Sequence, residues 1–338
     1  MYLLPTDEQD EIVATVRSQL EADFDLHALA ARDGAPSVVD RDLWRRCAEL
    51  GWFGLGLEES LGGVGYGLVE EALLFAELGS HATPGPFLAT VLGARLAAEA
   101  GASDVAAAVV GGESVVALAE PEGDRLRVTD HGDADLLLVV GDDGAALVSS
   151  DGLEFRTEPS LDVHVPLATV DAAAARAAAA RAAAPVAQLA DAGALLLRGT
   201  VLISAELAGI ATATAEQSTQ YAKDREQFGV PVGSFQAVKH RCADMAVRAE
   251  AATSTVRHAA LAVRDGLAEA PFHAHAARAV AGDAAVANAH VNVQNHGGIG
   301  FTWEHTAHRY VTRAQVLVRT LGDRTGHLGA LLEQPAPQ

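Results

Sequence analysis

The sequence predicts a mainly helical α+β chain in three parts: a helical domain, a small β-domain and a helical bundle. Three observations carry this expectation. Apolar residues recur at helical spacing up to about residue 112 and again from about residue 193. Between residues 113 and 170 the pattern changes to short apolar or alternating runs, separated by Asp-Gly and Gly-Asp pairs. Aromatic residues make up only 5% of the chain, while alanine, which gives up no side-chain entropy in a helix, is abundant.

Taken in order, Thr6 precedes DEQDEIVATVRSQL, with acids in the first turn where the helix dipole favours them. A second helix, DRDLWRRCAELGWFGLGL, runs into a glycine-rich turn at residues 62–67. LVEEALLFAELGS gives a third, and TPGPFLATVLGARLAAEAG a proline-opened turn and a fourth. The runs ESVVALAE, RLRVTD, ADLLLVVG, AALVSS and HVPLATV then read as strands of an antiparallel domain. The alanine-rich stretch 171–192, interrupted by Pro185, reads as a partly helical connector without chemistry. Four long amphipathic segments follow, at 195–224, 235–265, 271–296 and 305–319, and read as a bundle. The expected division is therefore 1–112, 113–170, 171–192 and 193–338.

Charge and cysteine usage narrow the classes of partner. Acids outnumber bases 45 to 24, a formal net charge of −21 at pH 7. Such a field repels nucleic acid and anionic membranes, and no basic run offsets it. Cys47 and Cys242 form neither a CxxC nor a metal-ligand spacing, which suits a reducing cytosol. The first residues lack a cationic region before an apolar core, and no apolar run is long and uninterrupted enough for a membrane span. The cytoplasm is the expected location.

Two stretches carry chemistry. Residues 221–244, YAKDREQFGVPVGSFQAVKHRCAD, read as a helix end, a tight loop and a helix start, because Gly229, Pro231 and Gly233 break the helical period. The loop holds Arg225 beside Gln227 and Phe228, with Gln236 shortly after. A guanidinium offers a planar fork of donors suited to phosphate oxygens, although a surface ion pair is the plainer use of one. The second stretch, residues 294–304, is QNHGGIGFTWE. Gln294 leads into the adjacent glycines Gly297 and Gly298. The histidines at 290, 296, 305 and 308 lack supporting cysteines, so they read as solvated or hydrogen-bonded groups and no metal is expected.

RExFGxPxGxFQxVxHxxADM resembles the signature of the flavin-dependent acyl-CoA dehydrogenase family, and QNHGGIGF resembles its Gln-x-x-Gly-Gly-x-Gly loop. The amino-terminal run ELGWFGLGLEESLGGVGYGLVEEALLFAELG resembles the family's first helical domain. The resemblance implies the family's fold, with its helical domain, β-domain and bundle. It also implies FAD-dependent α,β-dehydrogenation of an acyl-CoA thioester and an electron-transfer flavoprotein-type acceptor. In the family each FAD lies at a subunit interface, one subunit supplying the flavin pocket and base and its neighbour the ADP contacts. By that resemblance Arg225, Gln227, Phe228, Gln236, Gln294, Gly297 and Gly298 form an ADP-side set.

The flavin-side set departs from the pattern. The family's Thr-Glu-Pro loop with a Gly-Ser turn reads here Ala119-Glu120-Pro121-Glu122-Gly123-Asp124, exchanging hydroxyl donors for carboxylates, which repel a pyrophosphate. The two positions where the family carries its catalytic Glu fall on Leu321 and Gly199, neither of which accepts a proton. Glu206, Asp323 and Glu304 are the nearby carboxylates. Glu206 is the weak candidate for a relocated base, set against a packing role, and Glu304 is expected to cap or anchor the following helix. The chain thus resembles the short subunit of actinobacterial heteromeric acyl-CoA dehydrogenases that act on bulky CoA thioesters such as steroid side chains. A longer, base-carrying subunit is then the implied partner. A homo-oligomer with a relocated base and a cofactor-free scaffold are the alternatives.

Overall fold

The structure is a computed structural model that describes residues 3–29, 33, 40–141, 144–181 and 186–335. In chain order the helices are α1 (Asp7–Asp23), α2 (Leu26–Leu29), α3 (Arg41–Glu49), α4 (Leu68–Ser80), α5 (Phe87–Glu99) and α6 (Ser103–Val110). Strands β1 (Val116–Glu122), β2 (Arg125–Thr129), β3 (Leu136–Gly141), β4 (Gly144–Ser149), β5 (Arg156–Glu158) and β6 (Leu167–Asp171) follow. Then come α7 (Ala172–Arg181), β7 (Ala187–Leu189), α8 (Gly193–Asp224), β8 (Glu226–Gln227) and β9 (Val230–Pro231). Four helices close the chain: α9 (Gln236–Arg264), α10 (Ala270–His296), α11 (Ala307–Leu317) and α12 (Arg324–Glu333). The chain falls into two compact units gathered from separated stretches. One comprises Met1–Ala30, Leu68–Thr83 and Thr200–Gln338, the other Ala31–Gly67 and Pro84–Gly199.

The second unit is built on a sheet of order β5-β6-β2-β1-β3-β4-β7. It is mixed rather than antiparallel throughout: β1 and β3 run parallel, with Val116 beside Leu136 and Ala119 beside Val139. β7 pairs with β4 from inside the stretch expected to be only a connector, and part of that stretch, Pro185 included, lies outside the described residues. The sheet closes its core over Ala117, Ala119, Leu126, Val128, Leu137 and Val170. α5 is apolar nearly all round and buried along most of its length, as a core helix must be. At its start Phe87 meets Trp44 and Phe53, ring centroids 4.9 and 6.1 Å away.

The first unit is helical. α1 opens on a capping box, in which the Gln9 amide donates to Thr6 Oγ1 and the Thr6 amide to Gln9 Oε1. α4 and α8 touch backbone to backbone: a Cβ on Gly209 would stand 1.9 Å from the Ala76 carbonyl oxygen, and one on Gly79 equally close to that of Glu206. Only glycine permits this approach. α8 is long and apolar enough to cross a bilayer by length and composition, yet 78% of that apolar window is buried inside the fold. α10 ties α8 to α9 through two fully buried asparagines one turn apart. Asn288 Nδ2 donates to the Ala211 and Met245 carbonyls, both at 2.9 Å, and Asn288 Oδ1 accepts from Arg248 Nε. Asn292 accepts from Ser218 Oγ and donates to Gln217 Oε1. Every side-chain polar atom of these asparagines is used, which makes the network specify one register of the three helices.

Candidate functional site

α8 ends where Asp224 gives way to Arg225, whose amide still donates to the Tyr221 carbonyl at 2.9 Å. The chain then turns through a two-residue hairpin. β8 pairs with β9, and Phe228 and Gly229 occupy the turn at φ +56° and +80°. Positive φ at both central residues is the hairpin geometry that matches strand twist, but it normally calls for Asn or Gly. Phe228 takes this costly conformation and still leaves its ring 93% exposed. Its one ring neighbour among the described residues is Phe235, edge to face with centroids 6.2 Å apart. The Val232 amide donates to the Arg225 carbonyl and closes the hairpin. A Cβ on Gly233 would stand 2.8 Å from the Ala222 carbonyl oxygen, so only glycine allows the hairpin base to lie flat on α8.

Arg225 and Gln227 are exposed. The Arg225 guanidinium has no hydrogen bond or ion pair among the described residues, although Asp224 and Glu226 flank it in sequence. The surface ion pair that would be its plainer use is not made with either neighbour. Gln227 turns its amide to the Glu226 carbonyl. Gln236 is exposed at the start of α9, whose N-cap residue Phe235 supplies no side-chain hydrogen bond. Uncapped amides at the positive end of a 29-residue helix suit an anion.

Gln294 is exposed on the last turn of α10. Gly297 ends the helix at φ +66°, ψ −144°, a conformation closed to other residues. The space over Gly297 and Gly298 is open, since a Cβ on either would meet nothing within 4 Å. Gly300 is different: its Cβ would press on the Val293 carbonyl and the His296 Cβ at 2.9 Å. Packing within the chain therefore explains Gly300 but leaves Gly298 unexplained. Beyond the turn, Ile299, Phe301 and Trp303 are exposed. The two motif stretches meet through Tyr221 and His296, whose ring centroids are 4.2 Å apart. The sequence reading did not include this contact. An exposed cation, open helix-end amides and an open diglycine turn are each of the chemistry that suits a phosphate.

The flavin-side loop has become a hairpin. β1 continues through Pro121 and Glu122, and Gly123 at φ +65° turns the chain into β2 with Glu122 opposite Arg125. Glu120 is buried and ion-paired with Arg127 across the strands at 2.9 Å. Glu122 and Asp124 are exposed. The hairpin offers no side-chain hydroxyl, so this part of the chain fits a flavin poorly.

Of the carboxylates, Glu206 is buried on α8. Asp323 is occupied as the N-cap of α12, accepting from the Gly326 amide at 2.9 Å. Glu304 is exposed, and hydrogen bonds from Thr302 and its own backbone hold its carboxyl below the usual range. It was expected to cap or anchor α11, but the N-cap residue of that helix is Thr306, with no side-chain cap bond, and the amide of Ala307 donates instead to His305 Nδ1 at 3.1 Å. Leu321 sits at φ +55°, next to Gly322. His290 and His296 each bond a carbonyl one turn back on α10, and His308 lies edge to face with Trp303. Among the described residues no three His, Cys, Asp or Glu side chains converge to hold a metal.

Known proteins share this fold and much of this sequence. The model of the acyl-CoA dehydrogenase N-terminal domain matches residues 6–110, and that of the acyl-CoA dehydrogenase C-terminal domain matches residues 189–328. The acyl-CoA dehydrogenase IpdE2 of Mycobacterium tuberculosis is 32% identical over 323 residues, covering 92% of each chain. FadE34 of the same organism is 35% identical over 293 residues, 83% of this chain, which spans only 41% of FadE34's length. Among solved structures, the Tcur3481-Tcur3483 steroid ACAD superposes with a TM-score of 0.83 at 28% identity, over 97% of both chains. With both terminal domains matched and IpdE2 aligned nearly end to end, this chain belongs to the acyl-CoA dehydrogenase family.

Proposed function

We propose that this chain is the short subunit of a heteromeric, FAD-dependent acyl-CoA dehydrogenase and lends the ADP half of the cofactor site to a longer, base-carrying subunit. The observation that carries the reading is the asymmetry between its two half-sites. Arg225, Gln227, Phe228, Gln236, Gln294, Gly297 and Gly298 are all exposed, with open space over the two glycines, while the loop at the proposed flavin side is a hairpin with exposed Glu122 and Asp124. Leu321 and Gly199 stand where the family carries its base. FAD, when bound, would supply the acceptor for the β-hydride of the acyl-CoA thioester, with a carboxylate of the longer subunit removing the α-proton. This chain's part is to fix the pyrophosphate through the Arg225 fork and the Gly297–Gly298 backbone, and to cover the adenosine end with Phe228. The likeness to a steroid ACAD supports a bulky, steroid-side-chain CoA substrate, with an electron-transfer flavoprotein-type acceptor. Two copies of each subunit, in the cytoplasm, complete the proposed assembly. The domain plan is 1–112, 113–170 and 193–338, joined by 171–192.

The test is co-purification with a longer acyl-CoA dehydrogenase subunit, followed by the flavin absorption spectrum. One FAD per heterodimer, with dehydrogenation only in the mixture, is the expected result. A yellow, active protein from this chain alone would refute the reading.

The burial of Glu206 on α8 favours a second reading, in which a homo-oligomer uses it as a relocated base. Loss of a general base costs about 10²- to 10⁴-fold in rate. Glu206→Gln keeps the size and much of the hydrogen bonding, and is expected to leave turnover of the assembly within about twofold, far short of that penalty. A fall of several orders of magnitude with substrate binding intact would favour the relocated base.

A further inference from the structure

Tyr221 stands one turn before Arg225 on α8, and its ring lies against His296 with planes 36° apart. His296 in turn lies against His305, centroids 4.5 Å apart and planes at 50°. The three rings join the end of α8, the end of α10 and the entry to α11. Both imidazoles have their tautomers fixed by backbone. His296 Nδ1 lies 2.8 Å from the Asn292 carbonyl, which can only accept, so that nitrogen carries the hydrogen. His305 Nδ1 accepts from the Ala307 amide, so that nitrogen carries none. Burial lowers the pKa of both rings, and the proximity of His296, His27 and His308 lowers that of His305 further. Both are therefore neutral at pH 7 and pack without charge repulsion.

The segment between the second and third rings is the 3-10 turn Gly297–Phe301. Beside the rings, it is held by the Gly297 amide, which donates to the Gln294 and Val293 carbonyls, and by Gly300, buried against Val293 and His296. Gly297 and Gly298 carry no side chains, and Ile299 and Phe301 are 50% and 82% exposed. A diglycine has the largest backbone entropy to lose, so its position must be imposed by its neighbours.

We propose that Tyr221, His296 and His305 are positioning residues whose ring stack holds the Gly297–Gly298 turn against Arg225, making one surface of the two motif stretches. This rests on the reading that the surface holds the ADP half of FAD. The cost of misplacing it is carried by the cofactor, since a pyrophosphate must meet the guanidinium and the turn at once.

The test compares Tyr221→Leu and His296→Leu with Tyr221→Phe, which keeps the ring. Amide hydrogen exchange is read at Gly297 and Thr302 in this chain alone, and flavin content is read in its assembly with the longer subunit. The leucine variants are expected to exchange about tenfold faster at those two amides than the unaltered chain, with the buried α9 amides of Ala252 and Ala259 unchanged. Flavin retention should fall by a similar factor, and Tyr221→Phe should match the unaltered protein in both. His305→Asn can still accept from the Ala307 amide but removes a ring. It gives the same test without altering α8. Unchanged exchange in the leucine variants, or a Tyr221→Phe variant as loose as Tyr221→Leu, overturns the proposal. An unaltered assembly without flavin, alongside faster exchange in the variants, would sink the flavin reading and leave the positioning role standing. Flavin loss in Arg225→Lys but not in the leucine variants would do the reverse.

Discussion

Arg225→Lys in the assembled enzyme is expected to weaken FAD retention about ten- to hundredfold, the worth of one charge-assisted hydrogen bond out of two. Lysine keeps the charge and loses the fork, so the loss measures bidentate contact and not long-range attraction. The fold should be indifferent. The guanidinium is exposed and makes no hydrogen bond or ion pair among the described residues, so the melting temperature of this chain alone should stay within a degree or two, as for other surface substitutions. Fluorimetric titration of the apo-assembly with FAD, beside a thermal melt of the isolated chain, separates the two effects. Unchanged affinity would remove Arg225 from the phosphate contact. A lowered melting temperature would assign it a packing role instead.

The residues that carry this expectation were legible because the interactions they need are local. A helix end, a Gly-Pro-Gly break and a helix start place Arg225 on a tight loop whatever the tertiary packing, and the hairpin β8–β9 realises that loop. Gln294 to Gly298 likewise follow from one helix terminus. The change of period near residue 113 marks the strands for the same reason. Pairing partners are another matter. Nothing in the run ADLLLVVG distinguishes a parallel neighbour from an antiparallel one, so the β1–β3 pairing of Val116 with Leu136 was missed. β7 spans only Ala187–Leu189 and owes its extended form to β4. α12 was missed because Gly326 and Gly329 dilute its helical period.

The candidate site shows the same division. Its exposed groups were found by type and spacing, while the groups that position them were not. Tyr221 reads as an ordinary helix-face aromatic until His296, seventy-five positions later, is set against it. Glu304 has the chemistry of a cap, yet it is His305 whose imidazole accepts from the first amide of α11, that of Ala307. Packing also accounts for Gly209 and Gly79, where α4 and α8 come within backbone contact. Neither position advertises its contact, since the partner atoms are carbonyl oxygens that carry no residue-type signal.

Acid should unfasten α12 from α10 through His327. The imidazole is buried, 6% exposed, with its Nδ1 3.0 Å from the Nδ1 of His275. Two such nitrogens can share only one hydrogen, so the pair is satisfied when both rings are neutral. Burial first, then the Arg278 guanidinium and His275, push the His327 pKa down to about 4, and a backbone hydrogen bond at Leu321 and then Asp323 oppose them. Burial also lowers that of His275. Arg278 is held in place by the Leu317 and Thr320 carbonyls at 2.7 and 3.1 Å, so it cannot withdraw as the proton arrives. A native pKa below the unfolded value of 6.5 means that the unfolded chain binds the proton more readily. Stability from this site is therefore complete above pH 6.5, declines as the pH falls toward 4 and is gone below it. The shift corresponds to about 3 kcal/mol. His327→Leu removes the titration and leaves an apolar side chain in the same space. The difference in unfolding free energy between the unaltered chain and the variant, from urea titrations at pH 7.5, 6, 5 and 4, should shrink or reverse by about that amount across the range. The same titrations bear on the loop between α11 and α12, where Leu321 stands in a left-handed conformation, because Arg278 and His327 are its anchors. Parallel curves for the two proteins would mean that His327 titrates alike in the folded and unfolded chains, and that the acid sensitivity of this end of the bundle lies elsewhere.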